Sequence, residues 1–162
     1  MRRYSADGQT AAGTNLTILE IIAATTTRGR IYDILVGSDA TPADLAGEFN
    51  LIRGTVSGTG TAVTPRALDP ADPAALLTAK QGTFTVQTKT AASSLLNIGL
   101  NQRATFRWVA APDGELIIPA TADNWVGVES IAHGGTPNIN ATIHWLELMG
   151  GPQAQRRSNG AS

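Results

Sequence analysis

The chain has 162 residues and a net charge of −1, and 15% of its residues are charged, against about 25% in an average soluble protein. That length suits one domain with a core of its own, and a near-neutral chain without a basic stripe excludes nucleic acid as a partner of the folded body. Without cysteine neither a disulfide framework nor a thiolate zinc site can form. No apolar run approaches the ~18–20 residues that span a bilayer, so no membrane is expected as a partner, and MRRYSADGQT lacks the apolar stretch of a signal peptide.

Residues 1–15 carry two arginines among small polar residues and read as an N-terminal arm, too poor in apolar area to order alone and able to order on a neighbouring subunit. Residues 16–27, LTILEIIAATTT, are dense in β-branched side chains and read as a strand. After Arg28-Gly29, RIYDILVG is a second strand in which Ile31, Asp33 and Leu35 oppose Tyr32, Ile34 and Val36. Residues 38–47 form a polar loop where Thr41 and Pro42 can open one helical turn, and residues 48–56 return to strand. Residues 57–73, rich in Gly and Pro, read as a long irregular loop, the kind that is usually functional or interfacial.

The pattern TFTVQT at 83–88 adds a strand. The stretch 94–129 reads as the middle of the sheet system, with apolar runs around Leu96 and Trp108 and a hairpin at Pro112-Asp113-Gly114 that sends 116–118 back as the returning strand. Residues 125–132 and 139–149 are the last strands, and 150–162 form a polar tail. The expected fold is all-β: a single β-sandwich of about eight strands, jelly-roll-like, over residues 16–149, with flexible N- and C-terminal arms.

No constellation carries chemistry. His133 and His144 lack a third metal ligand, Ser93-Ser94 is not in a GxSxG turn, and the glycine-rich residues 54–60 lack a Walker lysine. Asp39, Asp44, Asp69 and Asp72 lie in loops that can supply oxygen to calcium, though without a diagnostic spacing. Trp108, Trp125 and Trp145 read either as core or as a sugar-stacking platform, with the core favoured because each sits in an alternating strand. The expectation is a protein that is not an enzyme and holds no cofactor and no metal.

In GTVSGTGTAVTPRALDPADPAA and LNQRATFRWVAAPDGELIIPAT the chain resembles a family of small virion-associated β proteins encoded by tailed bacteriophages and their prophages, over most of residues 16–148. The resemblance implies a capsid decoration or cement protein, made in the host cytoplasm and carried on the capsid surface of the virion. Its partners would be the lattice of the major capsid protein and further copies of itself, as a homotrimer. Arg2, Arg3, Tyr4, Arg53, Arg66, Arg103 and Arg107 are the candidate interface residues in that reading, the arginines by pairing with acidic groups. The alternatives are a carbohydrate-binding adhesion module of a virion appendage, which needs an exposed tryptophan, and a structural protein of the tail or neck.

Overall fold

The computed structural model describes residues 1–11, 13, 15–91 and 94–148. Among them there is no helix; thirteen strands follow one another as β1 (Arg2–Ala11), β2 (Leu16–Ile22), β3 (Gly29–Ala40), β4 (Ala46–Val56), β5 (Thr59–Val63), β6 (Arg66–Ala67), β7 (Thr78–Thr85), β8 (Thr88–Lys89), β9 (Leu96–Asn101), β10 (Phe106–Val109), β11 (Leu116–Ile118), β12 (Trp125–His133) and β13 (Asn138–Glu147). All pairings are antiparallel and build two sheets. The first runs β10-β3-β13-β1-β6 with β11 also on β3, the second β5-β7-β2-β12-β4-β8 with β9 also on β4. The sheets pack face to face as a β-sandwich, with strand orders compatible with jelly-roll wiring. The count exceeds eight because β1 forms in the expected arm, β5 and β6 in the expected 57–73 loop, and β8 as a separate two-residue piece.

Side chains alternate across each strand, and the inward ones form the core. Tyr4 and Ala6 of β1, Ile34 and Val36 of β3, Leu19 and Ile21 of β2, Val126 and Val128 of β12 and Ile143 and Trp145 of β13 are all buried in one cluster. A smaller cluster of Ile22, Ile52 and Trp125 lies on the other side of the second sheet. There the Trp125 ring sits 2.1 Å from where a Cβ on Gly54 would be, so this position tolerates no side chain. The Trp125 indole donates to the Val56 carbonyl at 2.9 Å.

Five expectations are corrected, that for Thr41 further below. The strand expected at 83–88 is not one strand: β7 ends at Thr85 and β8 begins at Thr88, with Val86 between them at a φ of 60° that breaks the extended run. Residues 2–11 are a strand and not an arm: β1 pairs with β13 from Arg2↔Glu147 to Ala11↔Asn138, because Tyr4, Ala6 and Gly8 offer an inward row small enough to pack tightly beside one aromatic ring. The stretch 94–129 is largely edge and not centre, since β9 pairs with β4 alone and β10 and β11 with β3 alone. Pro112-Asp113-Gly114 is not a hairpin. Both β10 and β11 run antiparallel to β3, one after the other, and the turn between them is closed by Gly114 N–H donating to the Ala111 carbonyl at 2.8 Å. Pro followed by a residue with positive φ, here Asp113 at 61°, is the type II pattern, whose twist splays strands where a two-residue hairpin needs the mirror-image turns. The expected tail at 150–162 lies outside the described residues.

The 57–73 loop is partly ordered as β5 and β6, and its continuation is fastened to the core. The buried Glu147 carboxylate accepts from the backbone of Leu76 at 3.0 Å and Leu77 at 2.9 Å and from the Trp145 indole at 3.2 Å. The Tyr4 hydroxyl donates to the Pro73 carbonyl at 3.0 Å. Thr41 opens no helical turn; its φ is 50°. Removing residues 1–11 is expected to abolish the cooperative thermal transition seen by circular dichroism, whereas loss of a true arm would leave it unchanged. Glu147→Ala, which strands two buried donors and one part-buried one, is expected to lower the unfolding free energy by about 3 kcal/mol in denaturant titration.

Candidate functional site: the outer face of the first sheet

Residues directly opposite each other in an antiparallel pair share a face, so the register maps the outer surface of the first sheet row by row. One row is Arg66, Ser5, His144 and Asp33. The next rows are Arg3, Leu146 and Arg30 on one side, and Asp7, Thr142, Leu35 and Arg107 on the other. Four arginines from four strands thus share a face with two aspartates, and a chain of net charge −1 carries an excess of positive charge there.

The centre of this face is a fixed ionic cluster. Asp33, 3% exposed, accepts from Arg107 through Nε at 3.0 Å and Nη2 at 2.7 Å, a bidentate fork, and contacts His144 Nδ1 at 3.1 Å. Tyr32 stacks on the His144 ring with centroids 6.0 Å apart. A register shift between His144 and Trp145 is the local cause. Asp33 and His144 lie opposite each other, Ile31 lies opposite Trp145, and Tyr32 is the extra residue, so Ile31 and Ile34 both face the core where strict alternation would separate them. The Arg107 guanidinium first, and the His144 ring after it, hold the Asp33 carboxyl below its ordinary pKa against the opposite push of burial. Burial raises the Tyr32 phenol, with Arg3 pulling it back down.

A second polar cluster lies on the outer side of the second sheet, where the chain crosses from β4 to β5 and back from β7 to β8. Glu20 is fully buried and accepts from Ser57 Oγ at 2.6 Å and Gln87 Nε2 at 2.6 Å. Lys80 Nζ donates to Ser57 Oγ at 2.8 Å and the Gly58 carbonyl at 2.9 Å. Burial pushes the Glu20 carboxyl above its ordinary pKa, against the bonds from Ser57 and Gln87 and the charge of Lys80. Nearby, Lys89 pairs with the buried Glu129. These crossings cover part of the second sheet's outer side.

Of the seven sequence candidates, Arg3, Arg66 and Arg107 lie on the first sheet's outer face, Arg107 on the β10 edge and Arg66 on the β6 edge. Arg2 lies 3.7 Å from Asp72, Arg103 is exposed at the turn after β9, and Arg53 sits on β4 opposite Val126. Tyr4 is wholly buried and stacks near Trp145 with centroids 5.9 Å apart, which removes it from any interface. The four loop aspartates do not converge as calcium ligands: Asp39 bonds Asn138, Asp44 bonds Asn101, Asp69 caps Ala71 of its own turn, and Asp72 faces Arg2. Among the described residues no group of His, Asp and Glu is arranged to hold a metal ion. Trp125 and Trp145 are buried and Trp108 packs its partly buried ring against the core, so the sugar platform expected of an adhesion module is not built from them. His133 leans edge-on against Phe49 at 4.6 Å, and burial lowers its pKa. Arg30, Tyr32, Asp33 and His144 are not among the seven interface candidates, although an aspartate inside the apolar run RIYDILVG signals a buried acid in need of a partner.

No family model, curated protein or solved structure matches the chain.

The two carboxylates titrate in opposite senses. Asp33, depressed from 3.8, contributes stability that is present above its unfolded pKa and is lost as pH falls through its folded value. Glu20, raised from 4.5, favours the folded state when protonated, so that contribution is lost as pH rises from about 4.5 through the folded value. Asp33→Asn is therefore expected to lower the melting midpoint at pH 7, with the difference from the wild type shrinking as pH falls below 3.8. Glu20→Gln is expected to gain on the wild type as pH is raised from 4 to 8. Scanning calorimetry across pH reads both.

Proposed function

We propose that the protein is a structural docking module, a capsid decoration or cement protein of a phage virion, that binds an acidic surface of the assembled lattice through the outer face of its first sheet. The observation that carries this reading is the Asp33–Arg107 fork, an exposed arginine locked in place by a buried carboxylate, on a sheet face that also carries Arg3, Arg30 and Arg66. A guanidinium already fixed in position loses little side-chain freedom on binding. A broad sheet face suits an extended partner surface more than a small molecule. The resemblance to phage virion proteins supplies the choice of a lattice.

The mechanism in this reading is mass action. A protein that binds only the assembled shell draws the equilibrium away from disassembly, and symmetric copies, a trimer in the family's terms, add weak contacts through avidity. No covalent step is involved.

The test is co-sedimentation with phage heads stripped of their own decoration protein. The wild type is expected to saturate at a fixed ratio and to weaken as salt is raised from 50 to 300 mM, because exposed charge pairs are screened. An Arg3→Glu, Arg66→Glu double variant with an unchanged melting midpoint is expected to lose at least about tenfold in affinity, roughly 1.4 kcal/mol. Unaltered binding by that variant, or retention of duplex DNA in preference to heads, would contradict the reading.

A further inference from the structure

The edge of β1 is only partly paired, and the unpaired part lies in a groove. β6 meets β1 at Tyr4↔Ala67 and Ser5↔Arg66 and nowhere else. Continued in that register, Thr64 would lie opposite Asp7 and Ala62 opposite Gln9. Instead the chain bends at Pro65 and leaves the sheet: residues 59–63 belong to β5, which pairs with β7 in the second sheet. The strand position beside β1 beyond Ser5 is thereby vacated. A groove of about 620 Å³ includes this position: residues 62–64, Arg66 and Gln81 line it on the vacated side, and it extends over Asp7, Gly8 and Gln9 of β1 to their β13 neighbours Asn140, Ala141 and Thr142.

Two bonds show which main-chain groups face this notch. The Leu68 N–H donates to the Arg3 carbonyl at 2.9 Å, and the Gln9 N–H donates to the side-chain oxygen of Gln81 at 2.8 Å. Arg3 and Gln9 therefore point away from β13, and so by alternation do Asp7 and Ala11. Among the described residues no strand meets them. At Gln9 a side-chain amide oxygen occupies the place of a strand carbonyl, so the edge is plugged and not paired.

We propose that this notch is a strand-addition site that takes an extended segment of a partner polypeptide, antiparallel to β1 and in line with β6. Main-chain bonds to Asp7, Gln9 and Ala11 supply the affinity, and the side chains of the incoming strand alternate between the core side and the outer face. The residue opposite Gly8 points inward, and it must be small, because the Gln81 Cβ lies 2.9 Å from where a Gly8 side chain would begin. The residue opposite Asp7 points outward beside Arg66. Arg66, opposite Ser5, and residues 62–64 line the notch on the side away from β13. The site is independent of the lattice reading, and its failure leaves that reading untouched.

The probe is an acetylated, amidated peptide NINAT, a copy of residues 138–142, which already pairs with the other edge of β1 with Ala141 opposite Gly8. Amide NMR of the full chain is expected to show saturable shifts at Asp7, Gln9 and Ala11, with a dissociation constant on the order of 1 mM for so short a strand. Gln9→Pro deletes the edge donor without touching the bonds to β13 and is expected to abolish the shifts. Gln81→Met withdraws the intramolecular plug at similar volume and is expected to tighten binding several-fold, a change that damage to the fold would not produce. Absence of saturable shifts up to about 5 mM peptide, shifts confined to other strands, or an unchanged affinity in Gln81→Met would each overturn the proposal. So would edge shifts that follow protein concentration and not peptide, since they would assign the edge to a second copy.

Discussion

The pairing of the first long strand with the last is the constraint on which the rest of the molecule depends. β1 and β13 run side by side for ten residues, and the contact joins segments separated by nearly the whole chain. Its inward side places Tyr4 against Trp145. Its end places Glu147 where it can fasten the Leu76–Leu77 backbone. Its outward side aligns Arg3, Ser5 and Asp7 with Leu146, His144 and Thr142. Without that register neither the core of the first sheet nor the charged face exists.

The two faces of the sandwich use buried acids differently, and the difference explains which face presents exposed charge. At Asp33 the partners are cations, so the carboxylate stays ionised and holds an exposed guanidinium outward. At Glu20 burial dominates over neutral donors and one lysine, and the acid helps to secure the chain segments that cross over the second sheet. One acid presents charge to solvent; the other anchors a cover. The first sheet's outer face therefore remains a broad surface of exposed arginines, bounded on one side by the unpaired edge of β1.

Much of the architecture was legible in the sequence, because β-branched runs and period-two alternation are local signals. The strands at 16–22, 29–40, 46–56, 125–133 and 138–147 follow directly from them. β1 was not legible as a strand. Its inward row of Tyr4, Ala6 and Gly8 carries the right period, but two of the three are too small to register as hydrophobic, and the packing that makes small residues useful there comes from β13. The Pro112-Asp113-Gly114 turn was found, yet its consequence was misread, because turn chemistry fixes the local bend and not which strand the flanking residues meet. The charged face was invisible for a related reason. Arg3, Arg30, Arg66 and Arg107 are far apart along the chain and meet only through the strand order β10-β3-β13-β1-β6, and the bulge at Tyr32 shifts the phase of β3 by one residue.

The most direct measurement is native-state amide hydrogen exchange along β1, since an integrated core strand and an ordered-on-contact arm differ most there. The amides of Tyr4, Ala6 and Gly8, which point toward β13, are predicted to exchange only through global unfolding, at rates shared with the centre of β13. Exchange of those three amides at the rate of an unstructured peptide would contradict the account, because it would leave the first sheet without its fourth strand and the arginines of its outer face without a common surface.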